Sequence, residues 1–151
     1  MVQRKRFAVS VLLLITGLLA VADSSVVVRD AWVREAPPGA PVLAAYFTLE
    51  NTGSKADKLV AVRAVDFEKI EIHATEIRAG VARMIALDAL PISPHALVKL
   101  APGGYHIMLH HPRRALAAGM SVKLELRFES GTRLTVVAPV RRAEAGTAHH
   151  H

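Results

Sequence analysis

The stretch GGYHIMLHH, residues 103–111, alternates His106, Met108 and His110 with Tyr105, Ile107 and Leu109. In a β-strand, side chains at i, i+2 and i+4 share one face. One face of this stretch is therefore apolar and suited to a core. The other carries two imidazoles and a thioether. A second His/Met pair lies in EIHATEIRAGVARM, residues 71–84. If the hairpin loop is the four residues 77–80, His73 faces Met84 directly. If the turn is Ala79-Gly80, Met84 faces Thr75 and lies diagonal to His73. Both registers put His73 and Met84 on one face, ~5 Å apart directly or ~7–8 Å diagonally. A three-residue loop would put them on opposite faces. Each of these residues alone is more often packing or solvated surface than a ligand. If the two pairs meet, they supply two imidazoles and two thioethers. Thioether sulfur is soft, and soft ligands select Cu(I), whereas Ca(II) and Mg(II) take oxygen and zinc favours Cys, His and carboxylate. Imidazole ligates only when neutral, so uptake is expected to weaken below about pH 6.5.

Strands must position these residues. SVVVRDAWVRE (25–35), VLAAYFTLEN (42–51), LVAVRAV (59–65), FEKIEIHATE (67–76), VARMIAL (81–87), ALVKL (96–100), the stretch from Tyr105, SVKLELRFE (121–129) and RLTVVAPV (133–140) read as short strands. Pro/Gly/Asn/Ser clusters separate them, at roughly 8–12-residue spacing. The pattern predicts eight or nine strands, no helix and an antiparallel sandwich or barrel.

The chain opens MVQRKRFAVSVLLLITGLLAVADSS. A basic Arg4-Lys5-Arg6 start, an apolar run from Phe7 to Ala22 and the small-x-small Ala20-Val21-Ala22 are the layout of a secretory signal peptide, residues 1–22. The run is shorter than the roughly 20 residues a membrane span needs. Removing 22 of the 151 residues leaves a mature chain of 129, which suits one domain with one core, residues 23–141, followed by a tail. Residues 142–151 form a small polar tail ending in three histidines, expected to be disordered and kept out of the site. The formal net charge is +6, and the leader removes three basic residues and no acids, leaving +3. Aromatics are few and no basic run is interleaved with them, which speaks against nucleic acid. There is no cysteine, so thiolate catalysis, Cys-ligated zinc, iron–sulfur and blue-copper centres are excluded.

His, ten residues, Met, twenty-one residues, His, one residue, Met: this spacing resembles the ligand motif of the periplasmic copper chaperone family PCuAC. With 8 His and 4 Met in 151 residues, chance would give the pattern on the order of once in a few thousand such chains. DAWVREAPPGAPVLAAYFTLENTG, PGGYHIML and LELRFESGTRLTVVAPV are similar to the family's opening, second ligand segment and last hairpin, so the likeness spans about residues 29 to 141. The resemblance implies an all-β, antiparallel Greek-key β-sandwich, cupredoxin-like in shape. It implies His73, Met84, His106 and Met108 as ligands of Cu(I). It further implies a monomeric periplasmic carrier that delivers copper to the binuclear site of apo cytochrome c oxidase subunit II, beside thiol-based assembly proteins, or serves copper homeostasis. After HIML this chain departs from the family pattern with His110-His111-Pro112; by alternation His110 shares the face of His106 and Met108, where it is either an auxiliary ligand that would make the site friendlier to Cu(II) or, the favoured reading, a surface residue. Met120 reads as core or edge packing and His95 as solvent-exposed.

An enzyme has little support: there is no Gly-x-Ser-x-Gly elbow and no His-Glu-x-x-His helix, and the expected mature end is Asp23 rather than a copper-binding histidine. The alternative is a β-sandwich binding module in the periplasm that holds no metal.

Overall fold

The computed structural model describes residues 25–143. The expected leader and all but the first two residues of the tail lie outside them. Ten strands follow in chain order: β1 (Val26–Arg34), β2 (Val42–Asn51), β3 (Asp57–Arg63), β4 (Phe67–Arg78), β5 (Val81–Leu87), β6 (Leu90–Ile92), β7 (Leu97–Lys99), β8 (Tyr105–Pro112), β9 (Ser121–Phe128) and β10 (Arg133–Arg141). The described residues contain no helix. The strand order is β5-β4-β8-β2-β1-β10-β9-β3-β6, with β7 also paired to β2. All strand pairs are antiparallel except β1 with β10, which run parallel through Val33–Val140 and Arg34–Arg141. That one parallel seam makes the sheet mixed, where a wholly antiparallel arrangement was expected. It joins two leaves, β5-β4-β8-β2-β1 and β10-β9-β3-β6, whose inner faces meet.

Alternation builds the core between the leaves. Leu43, Ala45, Phe47 and Leu49 of β2, Ile72 of β4, and Ile107 and Leu109 of β8 face Leu59 and Val62 of β3, Val122, Leu124, Leu126 and Phe128 of β9, and Ala138 and Val140 of β10; all are buried. Most of this set is aliphatic, and five of its members, Val62, Ile72, Ile107, Val122 and Val140, are β-branched, which suits a pleated, two-sided packing surface. Two buried polar residues fasten loops to it. Asp57 accepts hydrogen bonds from the Ser130 amide at 3.1 Å and hydroxyl at 2.7 Å. The Asn51 side-chain amide donates to Lys55 O at 2.7 Å, and its oxygen accepts from Gly53 N at 3.0 Å.

Several expectations shift. β6 is an additional strand inside the Pro-rich connection; it lies at the sheet edge, where Pro91 removes no needed ladder bond. β3 stops at Arg63, leaving Val65 exposed. β1 carries an irregularity between Arg29 and Trp32, at Asp30 with φ 52°. Tyr105 does not join the core: it opens β8 beyond the cover of the facing leaf and is 40% exposed.

Candidate metal centre

Register decides which side chains meet. β4 pairs with β5 through Arg78–Val81, so the turn is the two residues Ala79-Gly80, both with positive φ (50° and 76°). Positive φ at both central positions marks the type I′ hairpin turn. Met84 is therefore opposite Thr75, and His73 is opposite Ala86. On its other side β4 pairs with β8, placing His73 opposite His106 and Glu71 opposite Met108. His73, Met84, His106 and Met108 thus share one face of the β5-β4-β8 sheet, with Glu71 and His110 among them. The opposite face of the same strands is the core: Ile72, Ile107 and Leu109.

The face is graded in burial. His106 is buried, at 5% exposure. His73 and His110 side chains are 13% and 19% exposed. Met108 is half-buried, whereas Met84 on the edge strand is 64% exposed. The imidazoles of His73 and His106 are 5.7 Å apart between centroids. Small residues flank the His/Met rows, Ala86 beside His73 and Ala44 beside Met108.

His106 is held in one tautomer. Its Nδ1–H donates to Gly104 O at 3.0 Å, a carbonyl presented by the turn in which Gly103 takes φ 84°. Its Nε2 lone pair is then free and aimed away from the strand. Among the described residues, the buried side-chain nitrogen and oxygen atoms without a hydrogen-bond partner are four: His73 Nδ1 and Nε2, His106 Nε2 and His110 Nε2. All lie on this face. Buried polar atoms are ordinarily satisfied, so four imidazole nitrogens without a hydrogen bond on one face make it the candidate metal-binding face. No three His, Asp or Glu side chains among the described residues are grouped to hold an ion by themselves.

Glu71 is the residue that the sequence did not single out. Its Oε2 lies 2.9 Å from His110 Nε2, without hydrogen-bonding alignment, and 3.4 Å from His73 Nε2; its Oε1 is 2.7 Å from Lys69 Nζ. Lys69 holds the Glu71 carboxyl below the usual carboxylate range, and His110 and His73 add to this against partial desolvation. His110 is thus a half-buried residue on the His/Met face, as alternation along β8 requires, with Glu71 beside it, rather than a surface histidine. The alternation of Glu71 with Ile70 and Ile72 was the available signal. His95 is exposed, as expected, and Met120 is a half-exposed turn residue whose sulfur accepts from Ala117 N at 3.4 Å.

The two-leaf sheet and this His/Met face define a β-domain of the PCuAC type. The chain belongs to the LpqE-like family, described as "Putative lipoprotein LpqE-like", whose model matches residues 26–140. A relative from Leifsonia xyli subsp. xyli, "Putative lipoprotein Lxx21020", is 33% identical over 115 residues, covering 76% of this chain and 68% of its own. Among solved structures, "Solution structure of CuI-DR1885 from Deinococcus Radiodurans" superposes with a TM-score of 0.66 at 29% identity, over 83% of each chain. "Copper-bound PCuAC domain from PmoF2" superposes with a TM-score of 0.68 at 24% identity, over 79% of this chain and 94% of that one, a likeness of fold.

Proposed function

We propose that this protein is a Cu(I) carrier of the bacterial envelope whose ligands are His73, Met84, His106 and Met108. What supports the reading is the gathering on one face of four imidazole nitrogens that make no hydrogen bond, two of them beside the Glu71 carboxylate, and two thioethers, in a chain similar to a protein solved with Cu(I). The residues fit the ion: neutral nitrogen and thioether sulfur match a soft monovalent cation, and no cysteine competes by oxidation. The carrier is exported through cleavage after Ala22 into the periplasm and acts as a monomer without catalysis of its own. It passes copper to the binuclear site of cytochrome c oxidase subunit II or into envelope copper homeostasis, alongside thiol-based assembly proteins.

The test is an anaerobic Cu(I) titration in competition with a chromophoric chelator, using protein ending at residue 142. One equivalent is expected to bind. The quadruple His73→Ala, Met84→Ala, His106→Ala, Met108→Ala protein should bind none; undiminished binding would sink the reading.

Glu71 has a predicted part in this. A carboxylate that accepts the second N–H of a ligating imidazole fixes the ring's tautomer and raises its basicity. Glu71→Gln keeps the shape and removes the charge facing His73 and His110. Cu(I) affinity is expected to fall about tenfold, at unchanged stoichiometry. An unchanged dissociation constant would show that Glu71 serves only its contact with Lys69.

A further inference from the structure

The four ligand positions are not equivalent. His73 and His106 are direct cross-strand partners, with Cα atoms about 5 Å apart. Met108 is two residues from His106 on one strand and diagonal to His73, within about 7–8 Å of both. Met84 is different. It sits on β5, the outermost strand of its leaf, one row nearer the hairpin tip. Two strand spacings of about 4.8 Å and two residue rises of about 3.3 Å put its Cα roughly 12 Å from that of His106. It adjoins His73 alone. Exposure repeats the division: Met84 is 64% exposed against 5% for His106.

We infer that copper rests on a three-point core of His73, His106 and Met108, and that Met84 is a detachable fourth ligand through which transfer begins. The inference rests on the Cu(I) reading above and adds an order of events to it. A neutral soft donor on the acceptor, a thioether or imidazole, approaches over the β5 edge. A bond from that donor to copper forms as the bond to Met84 Sδ breaks. Copper stays Cu(I), and no electron or proton moves, because both exchanging ligands are neutral. The core then surrenders the ion from the opened side. His106 leaves last, being buried and pinned through Nδ1 to Gly104. A tetrahedral cage of four equally seated ligands would give no such order.

Leucine matches methionine in volume but offers no sulfur, so Met84→Leu and Met108→Leu separate ligation from packing. Anaerobic Cu(I) titration against bathocuproine disulfonate, X-ray absorption at the copper edge and stopped-flow transfer to the same chelator give three readouts. Met84→Leu should keep one equivalent, weaken affinity by about tenfold or less, lose one sulfur scatterer and release copper faster than wild type; Met108→Leu should weaken affinity by about a hundredfold or more. Wild-type release should rise with chelator concentration, as a ligand-displacement step requires. Equal losses in the two variants, a larger loss at Met84, or release independent of chelator would overturn the inference while leaving the carrier intact. A wild-type protein that takes up no Cu(I) would overturn the carrier itself and the inference with it.

Discussion

His106→Ala is expected to weaken Cu(I) affinity by about a hundredfold or more, the largest loss from any single change on the His/Met face. The reason is preorganisation. An imidazole in water chooses between two tautomers and many rotamers, and ligation has to fix both. In this protein the Gly104 carbonyl has already fixed them: Nδ1 is the donor, and Nε2 is left as a lone pair inside the sheet face, without a partner. Leaving Nε2 buried and unsatisfied costs on the order of 1–3 kcal/mol in the metal-free protein, and a copper ion bound there would recover that cost. Alanine removes the ligand and the recovered penalty together. The Gly104 carbonyl loses only one of two donors, since Thr75 N still donates to it at 3.1 Å, and that effect is the lesser one. The control is His95→Ala, an exposed loop residue that should leave Cu(I) affinity unchanged. Competition titrations on the two variants decide. If His106→Ala binds as tightly as His95→Ala, the four orphaned nitrogens are not a ligand set.

Much of this site was legible as period-two alternation. HIMLH on one strand and IEIHAT on another each state which side chains share a face, and the buried Ile72, Ile107 and Leu109 show that the apolar side was chosen as the core. What alternation cannot state is the row. Ala79-Gly80 and the four-residue Ile77–Gly80 both keep His73 and Met84 on one face, and only the realised turn tells that Met84 stands beside Thr75. The pairing of His73 with His106 was out of reach for a related reason: β4 and β8 are far apart in sequence, so no local pattern records their register. The parallel β1–β10 seam escaped in the same way. Glu71 looked like an ordinary outward carboxylate on an amphipathic strand. Its role depends on His110 arriving from β8, opposite Lys69 one row away. Alternation put His110 on the His/Met face, but nothing in its own segment shows that Glu71 stands beside it.

Ile107→Ala is expected to destabilise the fold by about 2–5 kcal/mol, a large share of the roughly 5–15 kcal/mol that holds a domain of this kind together. Ile107 is fully buried and lies between His106 and Met108 in the chain, pointing the other way. It is the core-side foot of the strand that carries two of the four proposed ligands. β8 is also the middle of the leaf, hydrogen-bonded to β4 through His73 and to β2 through Ala45. Truncation leaves a void under the ligand face that the neighbouring Leu109, Ile72 and Ala45 fill only in part. The comparison is Val137→Ala on β10, where a side chain at 62% exposure should change stability by no more than about 0.5 kcal/mol. Urea unfolding of both variants without metal gives the difference directly. Repeating it with free Cu(I) buffered at a hundred times the dissociation constant should return about 2.7 kcal/mol to either variant, because the ion binds the folded chain alone. That equal gain is the informative part. If Ile107→Ala gains distinctly less from copper than Val137→Ala, the void has spread through β8 to the ligands. If both gain the same, the strand transmits stability across its two faces while the sheet register keeps the His/Met geometry intact. A loss at Ile107 no greater than at Val137 would mean that β8 is not anchored by its apolar face, and the division of this strand into a core side and a metal side would fail with it.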